Sequence, residues 1–240
     1  ANLEYYDEEF IVEPYLQGIE TLPAVNSLDE LKKTSIISKK STLQKDSFII
    51  AIGGDHSISI PIINSLSDDV SIIIFDAHPD MFHSWNNSTE NHRCVAQRAS
   101  SKHKVLIAGI RSMDKDEEEI IKNNSNVSII KMHEFFIDDF KSKLNNLANK
   151  VYISIDVDAF DSSLIRNTGT PEPGGLSWNE MINLLKIIFS EKQVIGADIV
   201  EFAPNKNDPG TRAEAYCLAK LCHKIMAMKA KYNKLASTNP

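Results

Sequence analysis

Residues 75–83 read FDAHPDMFH, two aspartates and two histidines crowded behind the apolar run VSIII. Two other places repeat the pattern: GGDHS (53–57) follows SFIIAI, and DVDAFD (156–161) follows VYISI. Together they offer His56, Asp76, His78, Asp80, Asp156 and Asp158, flanked by Asp55 and Asp161. In extended chain, residues two apart point the same way, so Asp76, His78 and Asp80 are expected to converge, as are Asp156 and Asp158. Four carboxylates so close repel one another, and burial raises their pKa values. Two divalent cations remove the conflict, because four positive charges balance four aspartates. Oxygen ligands with two imidazoles and no thiolate favour Mn²⁺ over zinc–thiolate or iron–sulfur chemistry. A pair of ions can also lower the pKa of a water held between them and supply hydroxide at neutral pH. Each stretch alone is ambiguous: GGDHS also reads as a strand-to-helix turn with Asp or Ser as cap, and DxD occurs in calcium loops. Their recurrence at three strand ends argues for a metal centre.

To meet, the three stretches need a sheet whose strands end on one edge. Short runs rich in Ile and Val predict strands at 47–54, 70–77, 104–110, 126–131, 151–158 and 193–202. They lack polar/apolar alternation, which points to burial on both faces and a mainly parallel sheet. Helical segments are expected near 57–67, 92–101, 113–123, 133–148 and 177–190, with a long one at about 211–234. Ser177 and Glu180 form a capping-box pattern ahead of an apolar stripe of Met181, Leu184, Leu185 and Ile188. The acidic run DKDEEE (114–119) reads as a solvated helix face, and 20–46 has no assignable pattern. The fold class is α/β: a three-layer αβα sandwich, in which ligands gather at the carboxyl ends of the strands.

A chain of 240 residues, 42% hydrophobic and 25% charged, fits one domain spanning 1–240. A net charge of -7 argues against nucleic acid or an anionic membrane as partner and suits a small cation. No apolar run is long enough for a membrane span, and the first residues do not resemble a signal peptide, so a cytoplasmic protein is expected. Cys94, Cys217 and Cys222 form no CxxC pair and read as reduced thiols.

GGDHS, DAHPD, SIDVDAFD and GTPEPGG (169–175) resemble, in order, the signature blocks of the ureohydrolases, the arginase and agmatinase family, from about residue 47 onward. The resemblance implies an arginase/deacetylase-like sandwich with two manganese ions per chain. One ion would take His56, Asp76, Asp80 and Asp156, the other His78, Asp76, Asp156 and Asp158, with Asp76 and Asp156 bridging. In the family a hydroxide attacks the guanidinium carbon, and urea and a free amine result. Asp80 would pass the proton to the departing nitrogen. His92 matches a histidine that shuttles protons near the leaving amine, and Glu201, in GADIVEFAP, a glutamate that binds the guanidinium. Asp55 and Asp161 would orient ligands or cap turns. GTPEPGG reads as a rigid wall of the pocket.

The loop MFHSWNNSTENH after Asp80 lacks the arginase-like Ser-Gly-Asn and looks more like the agmatinase branch. Agmatine, cleaved to putrescine, is therefore the expected substrate; arginine, guanidinobutyrate, formimidoylglutamate or a non-catalytic metal-stabilised homologue are the alternatives. Family members form homo-trimers and hexamers, and the same is expected here. Two departures stand out. The family's chain normally opens with a strand before a segment like ANLEYYDEEF, where this sequence begins, and Ser162 stands where the family has Pro.

Overall fold

The structure, a computed structural model, describes residues 3–34 and 47–237. Six strands form one sheet: β1 (Ile49–Ile52), β2 (Val70–Phe75), β3 (Val105–Ile110), β4 (Val127–Lys131), β5 (Lys150–Asp156) and β6 (Gln193–Val200). All pairings are parallel, in the order β1-β6-β5-β2-β3-β4. Each expected strand is present.

The missing alternation has a direct cause. In β2, Ile73 and Phe75 belong to one apolar core while Ile72 and Ile74 belong to another on the opposite face. Helices α1 (Leu28–Lys33), α2 (Ser59–Ser65), α3 (Val95–Ser100) and α4 (Lys115–Lys122) pack residues such as Ile60, Ile63, Val95 and Ile121 against the second core. Helices α5 (Ile137–Asn145), α6 (Trp178–Glu191) and α7 (Thr211–Ser237) supply Phe140, Leu185, Leu221 and Met228 to the first. Two helical layers enclosing a sheet buried on both faces is the expected αβα sandwich.

Local signals set several boundaries. The capping box of Ser177 and Glu180 forms at the start of α6, and its Met181, Leu184, Leu185 and Ile188 are buried. The acidic run differs from expectation. Glu117 is 2% exposed: it completes a capping box with Asp114 and accepts the Met81 N–H at 3.0 Å. A helix start thereby holds the loop after Asp80. Within the unassigned stretch 20–46, Ser27 caps α1, and 35–46 lie outside the described residues. No helix among the described residues is long and apolar enough to cross a membrane.

Candidate metal centre

Because β1, β6, β5 and β2 are adjacent and parallel, their carboxyl ends deliver His56, Glu201, Asp156 and Asp76 to one edge. The convergence within each stretch arises differently from the expected strand alternation. β2 stops at Phe75, and Asp76 Oδ1 accepts the N–H of His78 at 2.6 Å, closing a turn. Asp156 Oδ1 likewise accepts the N–H of Asp158 at 2.9 Å, ahead of a 3₁₀ turn over Val157–Ala159. Asp80 has φ +50°, a left-handed conformation that aspartate tolerates better than most residues. Side-chain-to-backbone bonds of Asp, more than the two-residue period of a strand, aim these groups.

The resulting cluster is nearly dry. His56 is fully buried, and Asp76, Asp80, Asp156 and Asp158 are 1–8% exposed. His56 Nδ1 lies 3.2 Å from Asp76 Oδ2 and 3.3 Å from both Asp80 Oδ2 and Asp156 Oδ2. His78 Nδ1 lies 3.1 Å from Asp158 Oδ2 and 3.5 Å from Asp76 Oδ1. Two groups have ligand spacing: His56, Asp76 and Asp156, and then Asp76, His78 and Asp158. Asp76 is common to both. Asp156 falls only in the first, and Asp80 in neither.

The donor set fits a metal on two further observations. His56 Nδ1 and Asp76 Oδ2 are buried without a hydrogen-bond partner, a costly arrangement for polar atoms that nothing coordinates. Behind the ring, His56 Nε2 meets Ser154 Oγ at 3.0 Å, and Ser154 Oγ donates to Asp198 Oδ1 at 2.6 Å. Having donated its proton, the serine oxygen accepts from Nε2–H, which leaves the Nδ1 lone pair directed at the carboxylates. Tyr152 Oη donates to the other Asp198 oxygen at 2.9 Å.

The protonation equilibria reflect the crowding of carboxylates and imidazoles. Burial, and then the charge of Asp76, push Asp80 up to about 7. Burial, with Asp158 and Asp76 beside it, also raises Asp156 well above the carboxylate range. Burial opposes the charged imidazoles, yet Asp158 and Asp76 outweigh it for His78, raised to about 11. For His56 the neighbouring carboxylates of Asp156, Asp76 and Asp80 likewise overcome burial and raise it.

The other expected residues fall into two places. Glu201 Oε1 accepts the His56 N–H at 2.6 Å, and Glu201 has φ +68°, a costly conformation for a residue of its kind. Burial and then Asp55's charge raise its pKa. His92 Nδ1 lies 3.0 Å from Asp55 Oδ2, and Asp55, His92 and Glu201 form a third group of converging ligand atoms. Asp55 also caps the turn that starts at His56, accepting the Ser57 N–H at 2.8 Å. Asp161 takes the turn-capping place. It accepts from the Ser163 hydroxyl and from the N–H groups of Ser163, Gly174 and Gly175, which hold it at about 2 and fasten the end of GTPEPGG. That loop borders the site: Thr170 Oγ1 reaches Asp158 Oδ2 at 3.4 Å, and a Cβ on Gly169 would lie 3.7 Å from Glu201 Oε2.

The chain matches the model of the arginase family over residues 19–228. It belongs to that family. It is 34% identical to the agmatinase of Pyrococcus horikoshii over 85% of this chain and 72% of that one. It is 35% identical to the N(1)-aminopropylagmatine ureohydrolase of Thermus thermophilus over 68% of this chain, spanning only 57% of that relative. The crystal structure of the agmatine ureohydrolase of Thermoplasma volcanium superposes with a TM-score of 0.83 at 28% identity, covering 97% of this chain and 80% of that one.

Two features around the site escape a reading of motifs. Asp198, in GADIVEFAP, is fully buried, and an acid within an otherwise apolar strand was the available signal. Met81 directly follows Asp80, yet it is buried in the second core and holds its loop from beneath. Its identity therefore acts on the pocket only indirectly.

Proposed function

We propose that residues 1–240 form one catalytic domain, a dinuclear manganese hydrolase that releases urea from agmatine and leaves putrescine. The observation that carries the reading is the doubled cluster, with His56 Nδ1 and Asp76 Oδ2 buried and unpartnered at its centre. His56, Asp76, Asp80 and Asp156 would hold one ion, and His78, Asp76 and Asp158 the other. When bound, such a pair neutralises the carboxylates and activates water at neutral pH.

The protein's own groups divide the remaining work. Glu201, whose pKa is raised by burial and by Asp55, gains from a bound cation and pairs with the guanidinium fork. Asp80 holds and returns a proton. Asp55, with its pKa lowered by the Ser57 and His92 contacts against the pull of burial, accepts Nδ1–H of His92. The Nε2 of His92 is thus free to carry a proton at the leaving amine.

The choice of agmatine over arginine rests on the loop after Asp80. Asn86 and Asn87 both have positive φ inside a hairpin closed by Trp85 and Ser88. Turn geometry accounts for them without a substrate carboxylate. Among the described residues, two nearby cations are engaged: Lys32 with Glu90 at 2.7 Å, and Arg93 with Asp114 at 2.6 Å and stacked on Phe82 and Trp85. The names of the relatives add N(1)-aminopropylagmatine as a second candidate. Homo-oligomeric assembly and a cytoplasmic location belong to the same proposal.

The test is urea release after Mn²⁺ loading, with agmatine, N(1)-aminopropylagmatine, guanidinobutyrate and arginine in parallel. Metal-dependent urea from agmatine and none from arginine is expected. Two bound ions with no urea from agmatine would overturn the substrate assignment.

A further inference from the structure

Arg111 follows the end of β3, and none of the chemistry above uses it. Its guanidinium is directed entirely at main-chain carbonyls. Nε donates to Pro173 at 2.9 Å and Nη1 to Gly109 at 3.1 Å. Nη2 donates to Asp158 at 2.6 Å, Glu172 at 2.8 Å and Phe160 at 3.2 Å. The main chain of the same residue is fastened between two candidate ligands: the N–H groups of Arg111 and Ser112 donate to Ala77 O at 2.9 and 3.1 Å.

The surroundings are shaped to this bracket. Gly109 has φ +114°, and a Cβ there would lie 2.8 Å from Asp76 O, so β3 approaches the Asp76 turn as only glycine permits. On the far side, a Cβ on Gly175 would lie 2.6 Å from both Arg111 Nη2 and the Phe160 carbonyl carbon, and 2.7 Å from Ala159 O, so it would press on the guanidinium and on the turn it holds. Three segments thus meet on one residue: the Asp76–His78 turn on its main chain, and the turn after β5 at Asp158 and GTPEPGG with Thr170 on its guanidinium. They carry every member of the group Asp76, His78 and Asp158. None of the Arg111 bonds reaches His56, Asp80 or the Ser154–Asp198 pair. A guanidinium this near a cation site weakens metal binding by its charge, so its presence there is explained by geometry.

We propose that Arg111 is a positioning residue for one ion of the pair, the one held by His78 and Asp158, and that it fixes that ion's affinity without touching it. The inference rests on the dinuclear reading of the site. Lysine keeps the charge of arginine and loses the fork, so Arg111→Lys separates the two contributions.

The experiment titrates wild type, Arg111→Lys and Gly175→Ala with Mn²⁺ alone. Calorimetry counts ions, electron paramagnetic resonance distinguishes an exchange-coupled pair from isolated ions, and circular dichroism follows the fold. Wild type is expected to bind two ions with a coupled spectrum. Both variants should keep one site within about threefold and weaken the other by about tenfold to a hundredfold, the range for partners that orient ligands, with an isolated-ion spectrum at intermediate metal. Equal weakening of both sites, unchanged binding at both, or a collapsed fold in Arg111→Lys would each overturn the assignment. Fewer than two ions in wild type would instead overturn the dinuclear reading on which it stands.

Discussion

Two buried clusters of charge sit in this molecule, and they are built on opposite principles. At the carboxyl edge of the sheet, four aspartates surround two histidines. Where residues 7–10 lie against α7, Asp7 and Glu9 meet Lys224 at 3.0 and 2.9 Å, and Glu9 also meets Lys186. The second cluster balances its own charge, although Asp7 Oδ2 and His223 Nδ1, 3.5 Å apart, have no hydrogen-bond partner. Asp7 is fully buried, accepts the N–H groups of Glu9 and Phe10, and has a lysine for its charge. Burial would raise Asp7 and Glu9, but their bonds to Lys224 and Lys186 prevail and both are lowered. At the sheet edge the outcome is mixed: His56 and His78 hold Asp76 at about 2 against burial, whereas burial and neighbouring carboxylates raise Asp80 and Asp156. A fold that closes its own electrostatics holds carboxylates low, and one that waits for a cation leaves some of them high.

The contrast predicts opposite responses to the same chemical change. Asp7→Asn removes one partner of a buried pair and is expected to cost about 3 kcal/mol, the low end for such a loss because Glu9 still holds Lys224. Urea denaturation measures the cost, and Mn²⁺ titration of the same variant should show unchanged affinity. A parallel fall in affinity would mean that the two clusters are not independent. Asp80→Asn should do the reverse. Asparagine keeps the left-handed backbone and the volume, so the metal-free protein should gain about 1 kcal/mol, or about 3 °C in Tm. Its affinity for Mn²⁺ should fall about a hundredfold, at least as much as for a lost orienting partner. A metal-free Asp80→Asn protein less stable than wild type would show that the cluster is already satisfied without metal.

How much of this was readable beforehand differs between the two clusters for a physical reason. All six strands were legible because burial on both faces writes itself into unbroken Ile and Val runs. His56, Asp76, His78, Asp80, Asp156 and Asp158 were legible because so many metal-capable groups at strand ends have few other uses. Arg111 was not, since an arginine that grips carbonyls carries no spacing pattern, and its partners Pro173 and Glu172 are some 60 residues away. Glu117 was misread for a related reason: within DKDEEE its capping-box spacing from Asp114 is compatible with a solvated helix start, and its burial comes from the three-dimensional closeness of Met81. Asp7 and Lys224 are 217 positions apart, and nothing local marks either as a partner of the other. Pairings set by tertiary packing leave little trace in a single chain.

The comparison can be sharpened by pH, with metal removed by a chelator. In the metal-free protein Asp80 has its pKa raised from 3.8 to about 7. Its favourable contribution is therefore whole below the unfolded value and is lost as pH rises through the folded one. Asp80→Asn and wild type should then have the same stability near pH 4 and diverge as pH rises through about 7, with the variant the more stable. The Asp7 cluster has the opposite sign. Asp7 and Glu9 are lowered from 3.8 and 4.5, so their contribution is whole above those values and lost as pH falls through the lower folded ones. Lys224 is raised from 10.5, so its share is whole below that value and disappears only at higher pH. The deficit of Asp7→Asn should accordingly stay constant between about pH 5 and pH 10 and shrink outside that window. Denaturation midpoints of the three proteins across that range measure both differences at once. A difference between Asp80→Asn and wild type that does not change from pH 4 to pH 8 would show that Asp80 keeps one protonation state throughout, and the cluster would then be as closed as the one around Asp7.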